Sequence, residues 1–192
     1  MKVLLFVGLL TSTILISAGI EGGIYIMDKG GKAEFATTSS TGDEIKGTCL
    51  NYASIFRVDE GKMNIALPLN SFEFKELGLI DHFKSEDYLN YKKSDAFVFN
   101  GSIEGFNKDV LEEGKKMEFT LNGEFVVAGE IQATTQKLFL TKSGDKVLGS
   151  ITFDVDLANY GIELSEAINA KFGSEFTLTC ELEWSTMVIK KK

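Results

Sequence analysis

From Lys62 onward the chain alternates apolar and polar residues with a period of two, which is the pattern of strands buried on one face. Met63, Ile65, Leu67 and Leu69 share one face of KMNIALPLN opposite Lys62, Asn64 and Asn70, and Phe72 and Phe74 extend that face. The pattern returns at Phe97, Phe99 and Ile103, at Met117, Phe119 and Leu121, and at Phe125, Val127 and Ile131. It returns again at Ile151, Phe153, Val155 and Leu157, and finally at Phe176, Leu178, Cys180, Leu182 and Trp184. Turn residues separate these runs at Asp59 to Lys62 (DEGK), Glu112 to Lys115 (EEGK), Asn122 to Glu124 (NGE) and Lys142 to Lys146 (KSGDK). Such short connections predict antiparallel neighbours, about seven or eight strands in all. Two stretches read as helical, Leu77 to Tyr91 and a short one from Ser165, with Gly173 as its C-cap. Neither supports a series of βαβ crossovers. An antiparallel chain with edges to hide closes into a barrel or packs two sheets, and Pro68 belongs at an edge, a bulge or a strand end.

The N-terminus departs from this pattern. After Met1 and Lys2, the run VLLFVGLLTSTILISAGI precedes the first acid, Glu21, and Ser17 and Gly19 put small side chains before a cut. This is the plan of a secretory signal peptide over residues 1–19, with the mature domain at 20–192 and export as the expected destination. Once the leader is removed, no stable membrane span is expected. No Cys closely follows the apolar run, which argues against a lipid-modified N-terminus.

Charge and chemistry narrow the function. With 28 acids against 20 bases and a net charge of −8, the chain lacks the basic footprint of a nucleic-acid binder. The closing Lys190, Lys191 and Lys192 read as a solvated tail. A single histidine, His82, cannot build a multi-His metal site, and no P-loop, G-x-S-x-G elbow or G-x-G-x-x-G occurs. No metal or catalytic residue is therefore assigned. Asp81 stands beside His82, but adjacent residues on a helix do not face one another. Cys49 and Cys180 form a disulfide or stay as two buried thiols, and the sequence leaves both open because it cannot supply their Cα separation. Much of the inward-facing set is Phe, which either fills the core or lines a cavity.

The stretch GKMNIALPLNSFEFKELGLIDHFKSEDYLNYKKSDAFVFNGSIEG, Gly61 to Gly105, is more specific than its periodicity. Ser71-Phe72 ends a strand, His82-Phe83 lies in a short helix, and Asp87-Tyr88-Leu89 follows. A strand with Ala96, Phe97, Phe99, Gly101 and Ile103 completes the order. In this order the segment resembles the YceI-like family of exported polyisoprenoid-binding proteins. EFTLNGEFVVAG (Glu118 to Gly129) and FDVDLANYGI (Phe153 to Ile162) look like later parts of the same family. Ser94-Asp95 stands where family members usually carry Tyr-Pro.

The resemblance implies an all-β fold, a closed antiparallel lipocalin-like barrel of about eight strands with one or two short helices. It implies an apolar lipid of isoprenoid type held inside, with no other cofactor, in a periplasmic or secreted binding protein that is not an enzyme. The implied pocket lining is Phe72, Phe97, Phe99, Phe119, Leu121, Phe125, Val127, Ile151, Phe153, Phe176 and Leu178. His82, Phe83 and Tyr88 are expected at the mouth. Two rivals differ in kind: an interaction module with a solid barrel and binding loops, and an enzyme using the barrel as a chamber with Asp81, His82 or Asp87 at its mouth.

Overall fold

The computed structural model describes residues 20–27 and 31–186, so the expected leader and the lysine tail lie outside the described residues. Eleven strands are present: β1 (Ile24–Met27), β2 (Lys32–Thr38), β3 (Glu44–Cys49), β4 (Ala53–Arg57), β5 (Lys62–Pro68) and β6 (Phe72–Phe74) come first. After α1 (Leu79–Phe83) come β7 (Ala96–Ile103), β8 (Lys116–Val127), β9 (Glu130–Ser143) and β10 (Lys146–Asp156), then α2 (Glu166–Asn169) and β11 (Glu175–Thr186).

All the strand pairings are antiparallel, and eight strands close the wall in the order β1, β4, β5, β7, β8, β9, β10, β11 and back to β1. The closing strand β11 is shared. Its C-terminal end pairs with β1 through Met27↔Trp184, and its N-terminal end pairs with β2 from Glu181↔Lys32 to Phe176↔Thr37. Strands β3 and β6 continue from β2. The upper end of the barrel therefore carries an extra β2–β3–β6 flap, together with α1, α2 and the 3-10 turn Leu157–Tyr160. Closure solves the edge problem that the alternation raised.

One seam is incomplete. β9 pairs with β8 from Glu130 to Thr141, but with β10 only from Leu138↔Ile151 to Ser143↔Lys146. β10 itself runs on to Asp156, paired there with β11 alone. The wall is thus split between Glu130–Lys137 and Thr152–Asp156.

Several expectations change. The NGE turn does not exist: Asn122–Glu124 lies inside β8, with Gly123 opposite Gly101. Core-facing positions 117 to 127 keep one parity across it, so nothing in the packing required a break there. The real turn is the two-residue link Ala128–Gly129, with φ of 49° and 81°, which matches the strand twist as a type I′ turn does. It shifts the parity of the next strand, β9. Ile131 consequently pairs with Val126 on the outer face and is 58% exposed. The helix expected over Leu77 to Tyr91 shrinks to α1, followed by hydrogen-bonded turns such as Asn90 N–H to Ser85 O. The second helix is capped by Ser165, whose hydroxyl accepts from the Ile168 N–H, and it ends at Ala170 rather than Gly173. Gly173 serves a different need, because a Cβ there would sit 2.2 Å from the Thr38 carbonyl. Pro68 is the last residue of β5, where its missing N–H costs no central ladder bond. The four strands before Lys62 escaped the sequence reading because they are short and interrupted.

Candidate functional site

The inward positions of β7, β8 and β10, and of β11 as far as Trp184, are apolar or glycine, and they converge on one column of aromatic rings. At the upper end Tyr88 stacks on Phe172 at 4.8 Å between ring centroids, and Phe83 lies 6.2 Å from both Phe172 and Phe97. Phe97 continues to Phe125 at 6.0 Å, Phe125 stacks on Phe153 at 4.4 Å and 7°, and Phe99 meets Phe153 at 5.2 Å. Offset and edge-on pairs of this kind add about 0.5–1.5 kcal/mol each beyond area burial. The column is therefore a structural element of the core.

Glycines make room for it. Gly101 and Gly123 face each other on the inner wall, and the Phe99 ring lies against both; a Cβ would meet it at 2.4 Å and 2.7 Å. Trp184 lies against Gly149 in the same way, 2.5 Å from where a Cβ would stand.

Of the expected lining, Phe72, Phe97, Phe99, Leu121, Phe125, Val127, Ile151, Phe153, Phe176 and Leu178 are all buried at 5% exposure or less. Phe119 is different: it is partly exposed and packs on Phe106 at 5.6 Å, near the lower end. Phe83 and Tyr88 are buried in the plug that closes the upper end, where the Tyr88 hydroxyl donates to the Gly173 carbonyl at 3.3 Å. Burial pushes the Tyr88 phenol well above its ordinary pKa. His82 points away from this plug, its Nε2 lying 2.7 Å from Lys171 Nζ in a partly exposed contact between α1 and α2. Asp81 and Asp87 are exposed and are not brought together with His82 by any hydrogen bond.

Sequence reading missed Phe35, Phe56 and Phe172, all fully buried. Ala33, Phe35 and Thr37 do alternate, but within a strand too short to stand out. Phe172 follows a four-residue helix with no apolar stripe to flag it.

The two cysteines are free and buried. Ala33 pairs with Cys49 on one side and with Cys180 on the other, which places the thiols two strands apart on one face. Two inter-strand spacings of about 4.8 Å put their Cα atoms beyond the roughly 7 Å that a disulfide spans. Burial raises both thiol pKa values, and Cys180 is further raised by Cys49. Beside them the Tyr52 hydroxyl donates to the Glu181 carbonyl.

None of the curated proteins compared matches this chain in sequence. Solved structures do match in fold. A polyisoprenoid-binding domain from Saccharophagus degradans, implicated in plant cell wall breakdown, superposes with a TM-score of 0.73 at 10% identity, covering 86% of this chain and 99% of that one. BcnA from Burkholderia cenocepacia gives 0.66 at 12% identity over 82% and 98% of the two chains. The YceI protein of Campylobacter jejuni gives 0.60 at 14% identity over 76% and 87%. These identities speak for the fold alone. The sequence model of the YceI-like domain, however, matches residues 26–184, from the first barrel strand to the tryptophan that closes the last. By that match the chain belongs to the YceI-like domain family.

Proposed function

We propose that this domain binds a long apolar lipid of isoprenoid type inside its barrel, for carriage or storage. The observation that carries the reading is the unbroken aromatic column from Tyr88 to Phe99 within a closed wall whose strands β7, β8 and β10 turn only apolar residues and glycine inward. A chain threading the lumen exchanges ring–ring contacts for ring–chain contacts of similar dispersion energy, and gains the burial of its own surface. At about 0.3 kcal/mol per non-hydrogen atom, a chain of roughly 40 carbons reaches about −12 kcal/mol, near nanomolar affinity. Burial alone suffices, so the function asks for no catalytic group. The fold shared with a polyisoprenoid-binding domain supports the same ligand class.

Export belongs to this proposal, on the pattern of residues 1–19. The test is native mass spectrometry of the protein purified gently from its own envelope, followed by lipid analysis after denaturation. A stoichiometric long-chain lipid is expected, with a chain that begins near Ile20. Protein that carries no lipid and also fails to take up added polyprenol would overturn the reading in favour of a solid interaction module.

A further inference from the structure

The split seam has an unusual lining. β9 stays in register with β8 from Glu130 to Thr141, so its side chains at 132, 134 and 136 share the core-facing side with Phe125, Gly123 and Leu121. Those three residues are Gln132, Thr134 and Gln136, whereas Leu138 and Leu140, where β10 is zipped on, are fully buried. Between Gln132 and Gln136, where the neighbouring strand has left, every inward residue of β9 is polar, whereas in the zipped half Leu138 and Leu140 are followed by one buried polar residue, Lys142, near the β9–β10 turn.

The 3-10 turn Leu157–Tyr160, which follows the unzipped end of β10, lies against β9. Leu157 and Tyr160, three residues apart and therefore on one side of the turn, are buried, while Ala158 and Asn159 are exposed. Asp156 caps the turn by accepting from the Ala158 N–H at 3.0 Å, and Gly161 ends it at φ 68°. Among the described residues no backbone hydrogen bond joins the turn to Glu130–Lys137. No backbone bond therefore closes the cleft there, and the strands flanking it carry Phe125 and Phe153 on their inward faces.

Electrostatics decides what such a cleft accepts. Gln132 is exposed, and Gln136 Nε2 donates to Thr134 Oγ1 at 2.8 Å, leaving amide and hydroxyl groups to offer. The lysines at this end are engaged: Lys93 with Glu130 and Lys137 with Glu118. On the other side of the turn a groove of about 690 Å³ carries Glu44, Asp154, Asp156 and Glu175. An anion approaching here meets acids and neutral hydrogen-bonding groups, with no unengaged lysine nearby.

We propose that the cleft between β9 and β10 seats the uncharged polar head of the lipid, a hydroxyl or carbonyl, and rejects a phosphorylated head. The proposal rests on the barrel reading above. The chain runs along the aromatic column and its head emerges between Gln132, Thr134, Gln136 and the Leu157–Tyr160 turn. One hydrogen bond of ordinary net strength would favour such a head by about fivefold over a bare hydrocarbon, and two by about thirtyfold.

The test compares three probes with one chain: phytol, phytyl phosphate and phytane, each competed against radiolabelled phytol. Wild-type protein is expected to prefer phytol to phytane by about fivefold and to phytyl phosphate by about tenfold. In Gln132→Val/Thr134→Val, whose β-branched residues suit a strand, the advantage of phytol over phytane should vanish while phytane affinity stays unchanged. Gln132→Lys should raise phytyl phosphate affinity. Equal wild-type affinity for phytol and phytyl phosphate, or a phytol advantage that survives the double substitution, overturns the cleft assignment and leaves the barrel reading standing. Failure of all three probes to bind removes both.

Discussion

The two halves of β9 belong to one uninterrupted strand, yet they do different work. Leu138–Thr141 has a partner on each side and turns Leu138 and Leu140 into the core; Glu130–Lys137 has a partner on one side only and turns glutamines and a threonine inward. The loss of apolar residues and the loss of the ladder begin at the same point. An inward polar residue needs a hydrogen-bond partner, and along Glu130–Lys137 the missing strand leaves room for water or a ligand to supply one. The composition of the strand therefore reports where the wall opens.

The largest way to break this contrast is to remove a ring from the zipped interior. Phe153→Ala, which loses the contacts with Phe125 and Phe99, should cost about 3–5 kcal/mol by denaturant unfolding, whereas Ile131→Ala on the outer face should stay within about 0.5 kcal/mol. A similar loss from both would mean that the two faces are misassigned. Native-state hydrogen exchange sharpens the comparison further. Amides of Glu130–Lys137 that point away from β8 should exchange at least about 100-fold faster than those of Leu138–Ser143 bonded to β10. Uniform protection along β9 would mean a sealed seam.

A gentler effect comes from pH. Cys180, Tyr52 and Tyr88 have pKa values raised by burial, so the unfolded chain gives up these protons first as pH rises. Their contribution to stability is whole below the unfolded thiol pKa near 9 and declines above it, so the melting temperature should fall between pH 8 and 11. At pH 8 a thiol reagent should leave Cys49 and Cys180 untouched until denaturant is added. The smallest change is at the turn that sets β9 in register. Ala128→Gly, at φ 49°, should stabilise the protein by roughly 0.5–1 kcal/mol in thermal unfolding.

Much of the barrel was legible because alternation maps directly onto a pleated wall, and the inward faces of β7, β10 and β11 followed from it residue by residue. The buried inward residues of those strands could be named in advance for the same reason. Phe119 and Ile131 show the limit. Parity along a strand tells which residues share a face, but it does not tell how far a position lies from the end of the barrel, nor where a two-residue turn resets the count. The Asn122-Gly123 dipeptide carries a strong local turn signal that twelve consecutive pairings with β9 override.

By itself, then, the sequence determined the strand class, the apolar interior, the lack of known catalytic motifs and the family resemblance, since each of these resides in local pattern or composition. Tertiary structure alone decided which strands close the wall, that Ala33 stands between the two cysteines, that His82 faces Lys171 instead of the lumen, and that β10 parts from β9 beyond Leu138. Those facts depend on pairings between residues far apart in the chain. No window of sequence contains both partners, and only the closed sheet brings them together.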